Sequence, residues 1–325
     1  MQTRRLGKTG YEVSEIGLGC WQLGGEFGPL RDDTATDILR TARSLDVNFW
    51  DTADVYGDGL SERRIGGFRD RKGVHVATKV GRGAQFAGMT RYTRARVKES
   101  LAGSLGRLGV EVLDLAQLHC VPIEVLRDGE IFTWLDDLRD EGMIRHWGAS
   151  VQTIEEALLA LRAESCATLQ IIFNLFRQDA VETLLPEAAK ADVGIIVRLP
   201  LASGLLSGRM SKATVFSAGD HRSYNRDGQV FFVGETFSGL PFDKGVAFAD
   251  QLKHWLPPGL TLAELALRWI LDQPAVSTVI AGVTRPEQLR ANAAVSGMEP
   301  LAPALVEKLR DFYVEKVRPE VRGGI

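Results

Sequence analysis

Residues 48–57, N-F-W-D-T-A-D-V-Y-G, decide how the rest of this chain is read. Within them WDTADVYG, Trp50–Gly57, places Asp51 at the end of a short apolar run and Tyr56 five residues later. Several of the short runs along the chain are apolar throughout rather than alternating, which suits strands covered on both faces. The same construction returns twice. VATKVG (Val76–Gly81) carries Lys79 near its end, and LAQLHC (Leu115–Cys120) carries His119. Strands are expected at Glu15–Leu18, Asn48–Asp51, His75–Lys79, Leu113–His119, Arg145–Gly148, Leu169–Phe173, Gly194–Leu199 and Ser277–Ala281. Helical periods lie between them: Ile38, Leu39, Ala42 and Leu45; Val97, Leu101, Leu105 and Leu108; Phe132, Leu135 and Leu138 before Gly142. Eight such units predict a (β/α)8 TIM barrel formed by residues 1–325 as one domain.

Three segments fall outside the barrel rhythm. The residues before Glu15 read as a hairpin turning at Lys8-Thr9-Gly10, placed to plug the N-terminal mouth. Ser211–Phe242 is a long Gly- and aromatic-rich loop after the seventh strand, either a lid over a site or a surface excursion. After Pro303, a last helix with Leu305, Leu309 and Phe312 packs outside. An open doubly wound sheet competes with the barrel. It would show G-x-G-x-x-G after its first strand, and GLGCWQLGG (Gly17–Gly25) has the wrong spacing. GRGAQFAG (Gly81–Gly88) lacks the ending of a phosphate loop, so both glycine runs read as flexible connections.

Composition narrows the function. The chain has 325 residues, 45% of them hydrophobic, and a net charge of −3, which gives no electrostatic reason to expect nucleic acid or an anionic membrane as a partner. Three widely spaced cysteines, Cys20, Cys120 and Cys166, make neither a disulfide framework nor a metal cluster. The N-terminus lacks a signal-peptide core and no window is long and apolar enough to span a bilayer. A cytoplasmic protein is expected, its oligomeric state left open.

Active sites of such barrels form where strands end. Asp51, Lys79 and His119 close successive strands, and Tyr56 lies in the loop after one. A buried lysine needs an anionic partner, which Asp51 can supply. Lys79 beside Tyr56 is expected to lower the phenol's pKa and make it a proton donor. His119 can donate to a substrate oxygen. Singly, each has a plain structural explanation: a cap, a satisfied histidine, packing. Lys79 ending an apolar strand is the hardest of them to explain as structure.

With these residues, the chain resembles the aldo-keto reductases nearly end to end. The resemblance rests on Asp51–Gly57, matching the family pattern DTAxxYG, on the strand-end Lys79, and on His119. It implies a catalytic set of Asp51, Tyr56, Lys79 and His119 that reduces a small-molecule carbonyl with a nicotinamide cofactor. The first loop would turn Cys20 and Trp21 toward cofactor and substrate. EGMIRHWGAS (Glu141–Ser150) and LQIIFNLF (Leu169–Phe176) would supply Ser150 and Gln170 to the nicotinamide amide. PLASGLLSGR (Pro200–Arg209) would wrap the pyrophosphate with Pro200, Leu201, Ser203, Gly204, Leu206 and Arg209. IAGVTRPEQLRANAAV (Ile280–Val295) would hold the adenosine with Gly282, Thr284, Arg285, Gln288 and Asn292.

Two departures stand out. Val151 follows Ser150 where the family usually has Asn, and it is expected to border the substrate with Trp21, Tyr56 and His119. Arg198 occupies the place of the aromatic residue under the nicotinamide. It either stacks there, disfavouring the oxidised ring, or pairs with a carboxylate. Arg285 could grip a 2′-phosphate, so NADP(H) is the preferred cofactor and NAD(H) an alternative. Two other functions compete: a cofactor-binding regulatory subunit with little turnover, and an aldolase using Lys79 as a Schiff base.

Overall fold

The computed structural model describes residues 1–325. Strands β1 (Thr3–Arg5) and β2 (Glu12–Ser14) form an antiparallel hairpin. The barrel follows, with β3 (Ile16–Gly19), β4 (Phe49–Asp51), β5 (His75–Val80), β6 (Leu113–His119), β7 (Ile144–Ser150), β8 (Thr168–Ile172), β9 (Gly194–Arg198) and β10 (Val276–Gly282). All eight pair parallel in chain order, and β10 closes on β3. Each expected strand is present within two residues of its expected limits.

Burial explains the composition of these strands. Every residue of β8 is buried, and so are all but the first of β5, because one face meets the barrel interior and the other the helices. Helix Arg94–Leu108 buries Val97, Leu101 and Leu108, starts on the Thr93 side chain, and stops at Gly109 in the left-handed region. In helix Glu130–Asp140 the expected face, Phe132, Leu135 and Leu138, is buried, and Gly142 (φ 77°) reverses the chain one residue past the cap. No helix is long and apolar enough to cross a membrane.

The barrel interior is layered along the strands. Leu6 and Val13 of the hairpin pack with Phe49, Ala77, Leu115, Ile196 and Ile280, so the hairpin stoppers the N-terminal mouth. A strand returns to the same face every second residue. Two residues beyond this apolar layer come Asp51, Lys79, Gln117 and Arg198, and the interior turns polar. The sheet geometry therefore sets a polar layer on a dry, stoppered floor.

The Ser211–Phe242 segment is a packed cover. It carries a short helix, His221–Tyr224, and two 3₁₀ turns, Val233–Glu235 and Phe237–Gly239. Asp220, His221, Asn225, Glu235, Thr236, Phe237 and Ser238 are buried within it. Asn225 organises it, donating to Thr236 Oγ1 (3.1 Å) and accepting from the Val230 and Phe231 amides (2.8 Å each). The C-terminal tail straps it, with Arg322 donating to the Gly239 carbonyl at 2.8 Å and to Asp227 at 2.7 Å. Helix Pro303–Phe312 lies outside, Phe312 meeting Trp255 edge-on.

Candidate active site

The strand ends and the cover enclose a cavity of about 940 Å³ at the C-terminal face. That is near the upper end of ordinary ligand pockets. On its floor, Lys79 Nζ stands 2.5 Å from Asp51 Oδ2, 2.8 Å from the Thr52 carbonyl and 3.2 Å from the Tyr56 hydroxyl. Lys79 and Asp51 are fully enclosed, so each depends on the other for its charge. The second Asp51 oxygen accepts from Gln117 Nε2 (2.9 Å) and Gln170 Nε2 (2.7 Å). Ser150 in turn donates to Gln170 Oε1 at 3.1 Å. The carboxylate is thus fully satisfied, and its orientation is fixed from three strands.

An ammonium only donates. Lys79 therefore donates to the Tyr56 oxygen, and the phenolic O–H points elsewhere, toward the cavity. The expectation that Lys79 lowers the Tyr56 pKa is corrected. Burial, with the Asp51 carboxylate adding, pushes the phenol well above its ordinary value, against smaller pulls from Arg198 and Arg82. Lys79 donates to the phenol oxygen, but the carboxylate bound to it adds to the effect of burial, and the phenol keeps its proton. His119 lies edge-on to the Tyr56 ring with 5.9 Å between centroids, and its Nδ1 has no partner. Burial first, then Arg82, Lys79 and Arg198, hold the imidazole well below its usual range, so it stays neutral.

Backbone contact fixes the two loops above this floor. Gly57 has φ 59°, and a Cβ there would stand 2.3 Å from the Gly24 carbonyl oxygen. The first loop thus presses directly on the Tyr56 loop, which is what glycine permits at both sites. Trp21 consequently stacks on Tyr56 at 5.8 Å, with Phe27 and His221 packed against its indole. The first glycine run is a close-packed shelf rather than a loose connection.

Most of the expected cofactor residues line one continuous cavity. Cys20, Trp21, Asp51, Ser150, Gln170 and Arg198 lie at its deep end, Pro200, Leu201, Ser203, Gly204 and Arg209 along its side, and Gly282, Thr284, Arg285, Gln288 and Asn292 at its far end. Ser203 (φ 55°) and Gly204 (φ 101°) turn this side wall through left-handed conformations. Gln288 Oε1 accepts from the Thr284 amide at 2.8 Å and the Arg285 amide at 3.1 Å, shaping the helix start at the far end. Nearby Arg222 pairs with Asp220 and Arg290 with Glu287, whereas Arg209 and Arg285 are exposed on the cavity rim with no carboxylate partner. Two free guanidinium groups on the rim, one along the side wall and one at the far end, fit a phosphate-bearing dinucleotide.

Two expected contacts are corrected. Leu206 is wholly buried in the core and does not reach the cavity. Val151 faces a separate crevice with Ile154, Ile171 and Ile325, so it does not border the substrate, because the residue after a strand-end serine turns to the opposite face. Of the two placements for Arg198, the structure has the ion pair. Its Nη1 lies 3.6 Å from Glu235 Oε2, and its Nη2 donates to the Val151 carbonyl at 2.9 Å.

Sequence reasoning missed Gln117, Glu26, Arg82 and Glu235. Gln117 was legible, since it stands two residues before His119 on the same inward face. Arg82 lay hidden within a glycine run, and Glu235 within the cover. Glu235 is buried between Arg82 (3.1 Å) and Arg198. Burial works against its charge, but the two guanidinium groups outweigh it and hold the carboxyl below its usual range. Among the phenylalanines of the cover, Phe231 lines the cavity, while Phe237 is an anchor packed on Phe216 and Phe242.

A model of the aldo/keto reductase family matches residues 15–313. The chain is 31% identical to "Aldo-keto reductase YhdN" of Bacillus subtilis, over 91% of this chain and 89% of that protein. It is 30% identical to a "Probable voltage-gated potassium channel subunit beta" of Arabidopsis thaliana, over 98% of this chain and 99% of that one. Its structure is similar to that of aldo-keto reductase AKR11C1 from Bacillus halodurans, in the holo form, with a TM-score of 0.77, 27% identity and 96% of each chain covered.

Proposed function

The chain belongs to the aldo/keto reductase family, and from the geometry of its cavity we propose that it reduces an aldehyde or ketone to the alcohol with NADPH. The observation that carries this reading is the fixed line Asp51–Lys79–Tyr56 with an unpartnered, neutral His119 beside the phenol. When bound, the cofactor supplies the hydride. The protein supplies the proton and its direction. Tyr56 keeps its proton at neutral pH and presents it to the carbonyl oxygen. Lys79 stabilises the phenolate left behind, and Asp51 holds Lys79 in place. His119 donates a second hydrogen bond to the same oxygen, fixing the carbonyl plane.

The raised phenol and lowered imidazole make a statement about pH. Reduction needs protonated Tyr56 and neutral His119. Both forms persist from about pH 7 to pH 9, given ordinary values near 10 and 6.5 and shifts away from that window. The kcat of reduction should therefore be flat across it. Alcohol oxidation needs the phenolate and should rise with pH over the same range. A reduction rate that falls through pH 8 would show that another group supplies the proton.

The free guanidinium of Arg285 supports NADPH over NADH. A charge-assisted contact to a 2′-phosphate is worth about 1.5–3 kcal/mol, roughly 10- to 100-fold. Arg285→Ala should reduce the NADPH-to-NADH ratio of kcat/KM by about that factor. An unchanged ratio would place the discrimination elsewhere. The similarity to the channel subunit keeps a second reading in play, a cofactor-binding subunit with little turnover. Consumption of NADPH with 4-nitrobenzaldehyde decides between them.

A further inference from the structure

The deep end of the cavity holds more positive charge than the proton-transfer chemistry uses. Lys79 and Asp51 cancel at 2.5 Å. Arg82, from the loop after β5, and Arg198, at the end of β9, also line the cavity. Both act on the reacting groups, since each disfavours the charged form of His119 and favours the phenolate form of Tyr56. Only one carboxylate, Glu235, reaches them, at 3.1 Å from Arg82 and 3.6 Å from Arg198. Glu26 lines the same space without an ion-pair contact; burial pushes its carboxyl up, and Arg82 is among the groups pulling it back. Glu235 is thus the one carboxylate in ion-pair contact with these two guanidinium groups, beside the place where the carbonyl must sit.

The donor inventory points the same way. Arg82 gives only Nη1 to Glu235, at 3.1 and 3.2 Å, which leaves Nη2 and Nε without a protein partner. Arg198 Nε is buried and unpartnered. Phe231 lies under the Arg82 guanidinium at 5.0 Å and fixes its plane. A planar cation held by stacking, with one edge pinned and its other donors free, presents the fork geometry that binds carboxylate and phosphate. Arg198 Nε, shielded from solvent, is costly to leave unpaired, and the free Arg82 donors remain open to water or to an anion. A hook of this kind would be wasted on a neutral aldehyde.

We infer that Arg82 and Arg198 form an anion pocket, and that the substrate is a carbonyl compound carrying a carboxylate or a phosphate. This rests on the reductase reading and narrows it. Glu235 sets the strength of the pocket by cancelling one of the two charges, so the anion is held without becoming trapped.

The test uses substrates matched in skeleton, with NADPH: succinic semialdehyde against butanal, and glyceraldehyde 3-phosphate against glyceraldehyde. The anionic member of at least one pair should lead in kcat/KM by about tenfold or more, and the larger lead separates carboxylate from phosphate. Raising KCl to about 0.5 M should shrink the lead by screening. Arg82→Gln should collapse the anionic-to-neutral ratio, mainly through KM, and Arg82→Lys should restore part of it. A purely structural role would lower both members together and leave the ratio unchanged. Equal or faster turnover of the neutral compounds, or a ratio unmoved by Arg82→Gln, overturns the inference. If no compound is reduced, the reductase reading fails separately. The pocket is then judged by thermal shifts with succinate and inorganic phosphate, which must be smaller in Arg82→Gln than in the wild type.

Discussion

Tyr56→Phe is expected to lower kcat for carbonyl reduction by about 10²–10⁴-fold, the usual contribution of a positioned general acid. The substitution removes one oxygen and little else. Lys79 retains Asp51 at 2.5 Å and the Thr52 carbonyl at 2.8 Å, so the ammonium stays satisfied. The ring keeps its stack against Trp21 and its edge contact with His119. Fold stability and cofactor affinity should therefore remain near the wild-type values, measured by thermal unfolding and by quenching of tryptophan fluorescence on NADPH addition. Under the alternative that His119 provides the proton, Tyr56→Phe would lose tenfold or less, and His119→Gln would carry the larger loss. The neutral, deeply lowered imidazole argues against that alternative, because a group that resists charging at pH 7 is an orienting donor more than an acid store. Full activity in Tyr56→Phe would end the assignment.

The fold was legible because its signals are local and repeated. Short, mostly apolar runs such as residues 169–173 and 194–198 suit strands covered on both sides, and eight of them separated by helical periods leave few architectures. The acid, lysine and histidine were legible for a related reason. A charged residue ending an apolar strand breaks the pattern, and such breaks are expected at functional sites. The missed residues break no pattern. Arg82 sits among glycines and Glu235 among turn residues, where charge is ordinary, and only their meeting across the cavity gives them meaning. The Tyr56 pKa was misjudged because proximity to a cation was counted and desolvation was not. Burial and a carboxylate bound to that same cation reverse the sign. Val151 was placed by the family's Ser-Asn pattern, but here the residue after Ser150 turns to the opposite side of the strand.

Lys79→Met is expected to cost both activity and stability. Removing one partner of a buried ion pair leaves the other charge uncompensated, at a cost of about 3–5 kcal/mol. Here the abandoned group is Asp51, whose Oδ1 keeps its two glutamine donors while Oδ2 loses the ammonium. For a chain of this length the loss corresponds to a fall of about 5–10 °C in Tm. Activity should fall steeply, toward the factor expected for Tyr56→Phe, since the phenolate would form with no cation in hydrogen-bond contact and only the more distant Arg82 and Arg198 favouring it. The double variant Asp51→Asn/Lys79→Met separates the two effects. It removes both charges while keeping a side chain that Gln117 and Gln170 can still meet, so much of the lost stability should return while activity stays low. Residues sharing one network are non-additive in this way, with couplings of about 0.5–3 kcal/mol. If the double variant is no more stable than Lys79→Met, the cost lies in packing around the lysine stem and not in the stranded carboxylate. If it regains activity, the cation beside Tyr56 is dispensable and the proton-transfer line ends at the phenol.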